Sequence, residues 1–265
     1  VVTLTFESNG GTEVPAEYLV SGTKPSKPSE PTRAGYIFVG WFEDDGTFEK
    51  RFNFEEPLSQ SIKVYAKWDL VTYTVQYAGE EAPSSPMEFT FDGENFKLED
   101  GSIAELPSGL DRKGYTFDGW SYNGEVYTTL AELFKETTLG DGNDASTTEI
   151  DLTAVWKVNT YTITYVLNGG TLNEGYKESY TVVDETFALE TPADRTGYKF
   201  RGWFEEEDFS GSAVSQILAG STGNKVFYAK WEAEVYTVTI DANGGSFGDG
   251  VQTEQEFAYG TNVYE

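Results

Sequence analysis

The sequence predicts a β-rich α+β chain made of tandem small modules in an elongated array, and three observations carry that expectation. All six tryptophans fall into one pattern used three times. An alternating apolar and β-branched polar strand precedes each copy. The segment joining each copy to the next has a constant length of four residues. Self-similarity of this kind describes architecture first, because a feature present in every copy serves the module before it serves any single site.

The pattern opens on Gly35-Tyr36-Ile37-Phe38-Val39-Gly40-Trp41, Gly114-Tyr115-Thr116-Phe117-Asp118-Gly119-Trp120 and Gly197-Tyr198-Lys199-Phe200-Arg201-Gly202-Trp203. It closes on Tyr65-Ala66-Lys67-Trp68, Thr153-Ala154-Val155-Trp156 and Tyr228-Ala229-Lys230-Trp231. The modules expected from this are 1–69, 70–157 (divergent, with insertions) and 158–232, with 233–265 the incomplete start of a fourth. Modules this small gain apolar area most readily through large aromatics, and 15% of the residues are aromatic.

Each module begins on a period-two strand. Val2, Leu4 and Phe6 alternate with Thr3 and Thr5, and Tyr73, Val75 and Tyr77 with Thr74 and Gln76. Tyr161, Ile163 and Tyr165, then Tyr236, Val238 and Ile240, repeat the arrangement. Such patterning predicts an antiparallel strand covering a core on one face. Asn9-Gly10-Gly11, Asn168-Gly169-Gly170 and Asn243-Gly244-Gly245 then supply the positive-φ residues of a tight hairpin turn; Ala78-Gly79-Glu80 predicts a different turn in the second copy.

On the exit strands, Val64, Ala66 and Trp68 share a face, as do Leu152, Ala154 and Trp156, and Phe227, Ala229 and Trp231. Trp68, Trp156 and Trp231 are therefore expected in the core, with Phe38, Phe117 and Phe200 of the Gly-Trp strands. Strict alternation sets Trp41, Trp120 and Trp203 opposite those phenylalanines. Either these indoles are exposed platforms for a ligand, or the preceding glycine forms a bulge that turns them inward; the structural reading is favoured. Between the tryptophan strands, Thr129–Lys135 has the apolar spacing of a short helix, Ser212–Leu218 is a weaker helical candidate, and Glu55–Leu58 suits one turn.

The formal charge is −27, from 18 basic and 45 acidic residues. Nucleic acid and anionic membrane surfaces are poor partners for that field, which fits a solvated acidic exterior. With no cysteine or histidine there are no thiol or imidazole nucleophiles, usual zinc ligands or disulfides. Asp141-Gly142-Asn143-Asp144 resembles a fragment of a calcium loop, but Ala145 stands where another oxygen is wanted and no bidentate glutamate follows. No metal or cofactor is expected. No apolar run reaches the ~20 residues needed to cross a bilayer. Val1-Val2-Thr3-Leu4 has no signal-peptide character, so the chain reads as a piece of a longer protein.

With opening strand, Asn-Gly-Gly turn, Gly-Tyr-x-Phe-x-Gly-Trp and Tyr-Ala-Lys-Trp in order, the chain resembles the Listeria-Bacteroides repeat of the internalin-B B-repeat type. Copy two departs from it at its turn and at Thr153-Ala154-Val155-Trp156. The resemblance implies small β-grasp-like modules of bacterial surface proteins, strung between an adhesive or enzymatic domain and a cell-wall anchor. It implies an extracellular, cell-surface or cell-wall location, roles as spacer and interaction module, and no catalytic residues.

Three functions compete on the residues: a non-enzymatic stalk with capacity for an unidentified protein or glycan partner, a carbohydrate-binding module using Trp41, Trp120 and Trp203 with tyrosines such as Tyr65 and Tyr228, and a carboxylate-pair hydrolase. The last has no distinguished pair, since Glu205-Glu206-Glu207-Asp208 reads as solvated loop charge. The ligand and oligomeric state are not fixed by the sequence.

Overall fold

A computed structural model describes residues 1–140 and 148–261. The chain divides into two units, Val1–Arg112 with Phe117–Lys157, and Lys113–Thr116 with Val158–Glu265. It is β-rich, with several sheets and, among the described residues, one short helix.

In the first unit, β1 (Val2–Glu7), β2 (Glu17–Leu19), β3 (Tyr36–Phe42) and β4 (Ile62–Leu70) form a sheet in the order β2-β1-β4-β3. Val2 and Leu4 are buried on the inner face with Val64 and Ala66. The expectation of a purely antiparallel opening strand is corrected. β1 runs antiparallel to β2 but parallel to β4, in register from Leu4↔Ile62 to Glu7↔Tyr65. A parallel pair needs a long crossover, and the whole segment between the two strands supplies it.

The Asn-Gly-Gly turn is tight, with Asn9 at φ 47° and Gly10 at φ 86°, and the Gly11 amide donates to the Ser8 carbonyl at 3.0 Å. It does not close a two-residue hairpin, because β2 starts pairing only at Glu17, opposite Leu4. The chain is drawn aside instead, with the Thr12 amide donating to the Thr32 carbonyl at 2.8 Å. Glu55–Leu58 is not helical. A turn with the Glu56 amide on the Asn53 carbonyl (3.3 Å) leads into a bridge between Leu58 and Thr23.

The second sheet has the order β7-β6-β5-β10-β8-β9, from β5 (Thr72–Ala78), β6 (Met87–Phe91), β7 (Phe96–Lys97), β8 (Tyr115–Tyr122), β9 (Glu125–Tyr127) and β10 (Glu149–Val158). Its central pair β5 and β10 is again parallel. Helix α1 (Leu130–Glu136) forms where the sequence places it. The Thr129 hydroxyl accepts from the Glu132 amide at 3.1 Å, and Glu132 in turn accepts from the Thr128 amide at 3.0 Å. That reciprocal cap satisfies orphan donors at the helix start, while Leu130, Leu133 and Phe134 enter the core.

In the second unit, β11 (Thr160–Val166), β12 (Ser179–Thr181), β14 (Tyr198–Phe204) and β16 (Lys225–Ala233) repeat the first order as β12-β11-β16-β14, and β13 (Phe187–Ala188) pairs with β15 (Gln216–Ile217). The helix expected at Ser212–Leu218 is replaced by β15. The Val214 amide donates to the Trp203 carbonyl (2.7 Å) and the Ser215 carbonyl accepts from Leu189 (2.9 Å), so backbone groups a helix would use are taken by neighbouring strands. β17 (Val235–Thr239) and β18 (Glu254–Ala258) form an antiparallel hairpin in which Tyr236 and Val238 are exposed.

Candidate functional site: the aromatic ladder and the arginine-glycine turn

The structure places Trp41, Trp120 and Trp203 inside, at 3%, 0% and 2% exposure. The cause lies one residue earlier. Between β3 and β4 the register slips: Phe38 faces Trp68, Gly40 faces Lys67 and Trp41 faces Ala66, so Val39 is an extra residue. The same slip sets Phe200 against Trp231 and Gly202 against Lys230, with Arg201 extra. One inserted residue reverses the parity of alternation and returns the indole to the face of the phenylalanine. Gly40, Gly119 and Gly202 have φ of 152°, 144° and 123°, values that a side chain would strain.

Trp68, Trp156 and Trp231, expected within the core, are half-buried, as are Phe38, Phe117 and Phe200. They face inward but sit at its rim. Each exit indole donates from Nε1 to a carbonyl of the turn after the opening strand: Trp68 to Ser8 (2.9 Å), Trp156 to Glu80 (3.2 Å) and Trp231 to Leu167 (2.9 Å). A half-wet indole with its N–H satisfied is a stable compromise for an amphipathic ring.

These rings form a ladder in every repeat. In the first, Phe6 lies 4.8 Å from Trp41, Trp41 5.4 Å from Phe38, and Phe38 5.3 Å from Trp68, all edge-to-face. Tyr77, Trp120, Phe117 and Trp156 repeat it at 4.8, 5.3 and 5.3 Å; Tyr165, Trp203, Phe200 and Trp231 at 5.0, 5.4 and 5.4 Å. Burial pushes the Tyr77 hydroxyl up to about 12 and raises that of Tyr165, as enclosure within an apolar stack requires.

At the end of the ladder stands a feature that the sequence reading passed over, the recurrent Arg-x-Gly-Tyr of Arg33–Tyr36, Arg112–Tyr115 and Arg195–Tyr198. Its signal was the fixed arginine two residues before each glycine. Arg33 Nη1 donates to the Asn9 carbonyl at 3.1 Å and its guanidinium lies 3.8 Å over Tyr36; Arg195 does the same with Asn168 (3.1 Å) and Tyr198 (3.8 Å). Asn9 and Asn168 donate from Nδ2 to the exit-strand carbonyls of Ala66 (2.9 Å) and Ala229 (3.0 Å). In the second repeat Arg112 pairs with Glu80 at 2.6 Å and lies 5.8 Å over Trp156.

Glu205 pairs with Lys225 at 2.9 Å and Asp208 accepts from the Ser210 amide at 2.9 Å, so the acidic loop is an exposed, locally satisfied turn. Asp44 is held down at about 2, first by the Thr47 hydroxyl and then by the Lys50 and Glu49 amides. Asp92 is also about 2, through the Asn95 and Glu94 amides. Both fasten loops. Among the described residues no group of three or more acidic, cysteine or histidine side chains is arranged to hold a metal. The calcium-like Asp141–Asp144 lies outside the described residues. Tyr65 and Tyr228 are half-buried. No helix among the described residues is long and apolar enough to cross a membrane.

The profile of the Listeria-Bacteroides repeat domain matches residues 3–67, 73–142 and 161–230. A "Putative Gly-rich membrane protein" of Evansella cellulosilytica is 31% identical over 93% of this chain and 26% of its own length. A "Putative membrane protein" of the same organism is 28% identical over 99% of the chain and 36% of its own length. Internalin H of Listeria monocytogenes is 29% identical over 36% of the chain and 16% of its own length. The chain thus spans only a minor part of the curated relatives it matches. Three in-register matches across most of its residues make this chain a member of the Listeria-Bacteroides repeat family.

Proposed function

We propose that this chain is a non-enzymatic repeat region of a bacterial surface protein, acting as a spacer and as a surface for protein interaction. The observation that carries this reading is tandem repetition with a constant four-residue linker, at Asp69–Thr72, Lys157–Thr160 and Glu232–Val235. Short linkers of fixed length restrict the geometry between neighbours, as flexible tethers would not.

On this reading residues 1–69, 70–157 and 158–232 are separate modules of β-grasp-like type, and 233–265 begins a fourth. A mixed sheet with a parallel central pair, β1 with β4, β5 with β10 and β11 with β16, supports that assignment. An extracellular or wall-associated location is supported by the relatives' names, two membrane proteins and an internalin. The buried Gly-Trp indoles offer no open face to a sugar ring, so carbohydrate binding loses the three tryptophans that suggested it.

Small-angle scattering tests the spacer reading. Compact modules of this size are roughly 30 Å across, so three in line give a maximum dimension on the order of 90 Å. A globular distance distribution would overturn the reading.

A further inference from the structure

The turn that begins each Arg-x-Gly-Tyr segment makes a repeated contact with sequence belonging to the following repeat. Gly35, Gly114 and Gly197 have φ of 79°, 83° and 75°. Their carbonyls accept from the third linker residue each time: Val71 at 2.9 Å, Asn159 at 2.9 Å and Glu234 at 2.8 Å. The linker is thereby stapled to the turn before it.

The space where a side chain would stand is filled. A Cβ on Gly35 would collide with the Phe91 carbonyl, and one on Gly197 with the Tyr259 ring. Gly114, which belongs with the second unit, faces Val182, whose Cβ would lie 2.5 Å from the added carbon. Phe91, Val182 and Tyr259 hold one register position. Each follows by two residues the aromatic opposite the first tyrosine of its opening strand: Phe89 opposite Tyr73, Tyr180 opposite Tyr161, and Phe257 opposite Tyr236. Other positive-φ glycines, Gly46 and Gly211 among them, have no atom within 4 Å of the equivalent point, so positive φ alone does not bring a neighbour there.

In the second unit the contact is detailed. Glu234 donates its amide to Gly197 and accepts at its carbonyl from the Tyr259 amide at 2.8 Å, while the Tyr259 ring meets Tyr198 edge-on at 5.6 Å. A backbone relay and an aromatic contact thus join the turn to the β17–β18 hairpin.

We propose that the glycine of each Arg-x-Gly-Tyr turn is a docking seat for the opening hairpin of the next repeat, so that successive repeats are coupled through this seat as well as through the linker. The partner it fits is a β-hairpin whose second strand ends at, or one residue before, the Phe91, Val182 and Tyr259 position, which meets the glycine with its backbone carbonyl at Phe91 and with its side chain at Val182 and Tyr259. This rests on the tandem reading above but not on the particle being extended.

Hydrogen exchange on the full chain tests it. Gly197→Ala and Tyr259→Ala should each speed exchange of the β17–β18 amides by about tenfold, the loss of a contact worth ~1.4 kcal/mol, and leave β11 and β12 protected. Gly211→Ala adds a Cβ at a similar φ into open space, and should leave the hairpin at the wild-type rate. A folded Gly197→Ala chain with unchanged hairpin exchange overturns the proposal. If Gly197→Ala unfolds its own repeat, the Tyr259→Ala chain decides through the Glu234 amide: faster exchange there supports the seat, and an unchanged rate overturns it. Scattering from the same samples reads the spacer shape independently.

Discussion

Gly11 and Gly170 are not in the left-handed region, yet neither has room for a side chain. A Cβ on Gly11 would enter the Trp68 ring, and one on Gly170 would lie 2.5 Å from Trp231 Cζ2. In these two copies the second glycine of Asn-Gly-Gly is therefore required by packing, and the first by φ. Gly11→Ala should cost about 1–3 kcal/mol through overpacking. Trp68→Ala should abolish that penalty, so the double variant should fall short of the summed costs by at least ~0.5 kcal/mol. Simple additivity in the exchange rates of β1 and β4 amides would refute the coupling. Trp41→Ala, by contrast, removes a fully enclosed ring and should cost about 3–5 kcal/mol. Its half-buried neighbour Trp68 should cost less, a ranking opposite to the one that strict alternation along the strands predicts.

That inversion marks where sequence reading ends at the scale of single elements. Alternation located the opening strands and helix α1 because a strand with one buried face and a helix with one apolar stripe each leave a period in the sequence. A bulge leaves none: Val39 and Arg201 look like any other outward residue, and only the slip at Gly40 and Gly202 reveals them as extra. Parallel pairing of β1 with β4 was equally hidden, since alternation records which face is buried and not the direction of the neighbouring strand. Ser212–Leu218 failed for a third reason: a short apolar run satisfies helix and strand templates alike, and the bond from Val214 to Trp203 decided between them.

Loops show the same dependence on local bonds. Asp44 gathers the amides of Glu49 and Lys50 at 3.0 and 2.9 Å, and Asp92 those of Glu94 and Asn95 at 3.1 and 2.8 Å. Both folded pKa values lie below that of an ordinary aspartate. The unfolded chain binds these protons first, so the contribution of each carboxylate is complete above ~4 and disappears as pH falls towards 2. Carboxyl chemical shifts should give midpoints near 2 for both residues. Midpoints near 4 would mean that the caps do not persist in solution. Thr129→Ala, at the start of helix α1, should cost about 1 kcal/mol, read as faster exchange in Leu133 and Phe134.

At the scale of the whole molecule, charge sets a contest between local attraction and global repulsion. Ion pairs such as Lys63 with Glu7 at 3.1 Å and Lys24 with Glu55 at 3.2 Å are solvent-exposed at both partners. Each is worth roughly 0–1 kcal/mol, and salt weakens it. Against them stands a net charge of −27, an excess of acid that no pairing with 18 basic groups can neutralise. Self-repulsion of that surplus destabilises the compact state, and salt weakens it too, over a screening length of ≈ 8–10 Å at physiological ionic strength. Because one-to-one pairing with 18 basic groups still leaves 27 acids over, repulsion is taken as the larger quantity. Added sodium chloride should therefore raise the thermal midpoint. Each ~1 kcal/mol of relieved repulsion per repeat would appear as a rise of about 4–8 °C between ~10 and ~150 mM salt. Calorimetry at fixed pH provides the measurement. A midpoint that falls with salt would mean that the exposed pairs outweigh the surplus, and the acidic exterior would then have to be read as a structural network and no longer as a solvated coat.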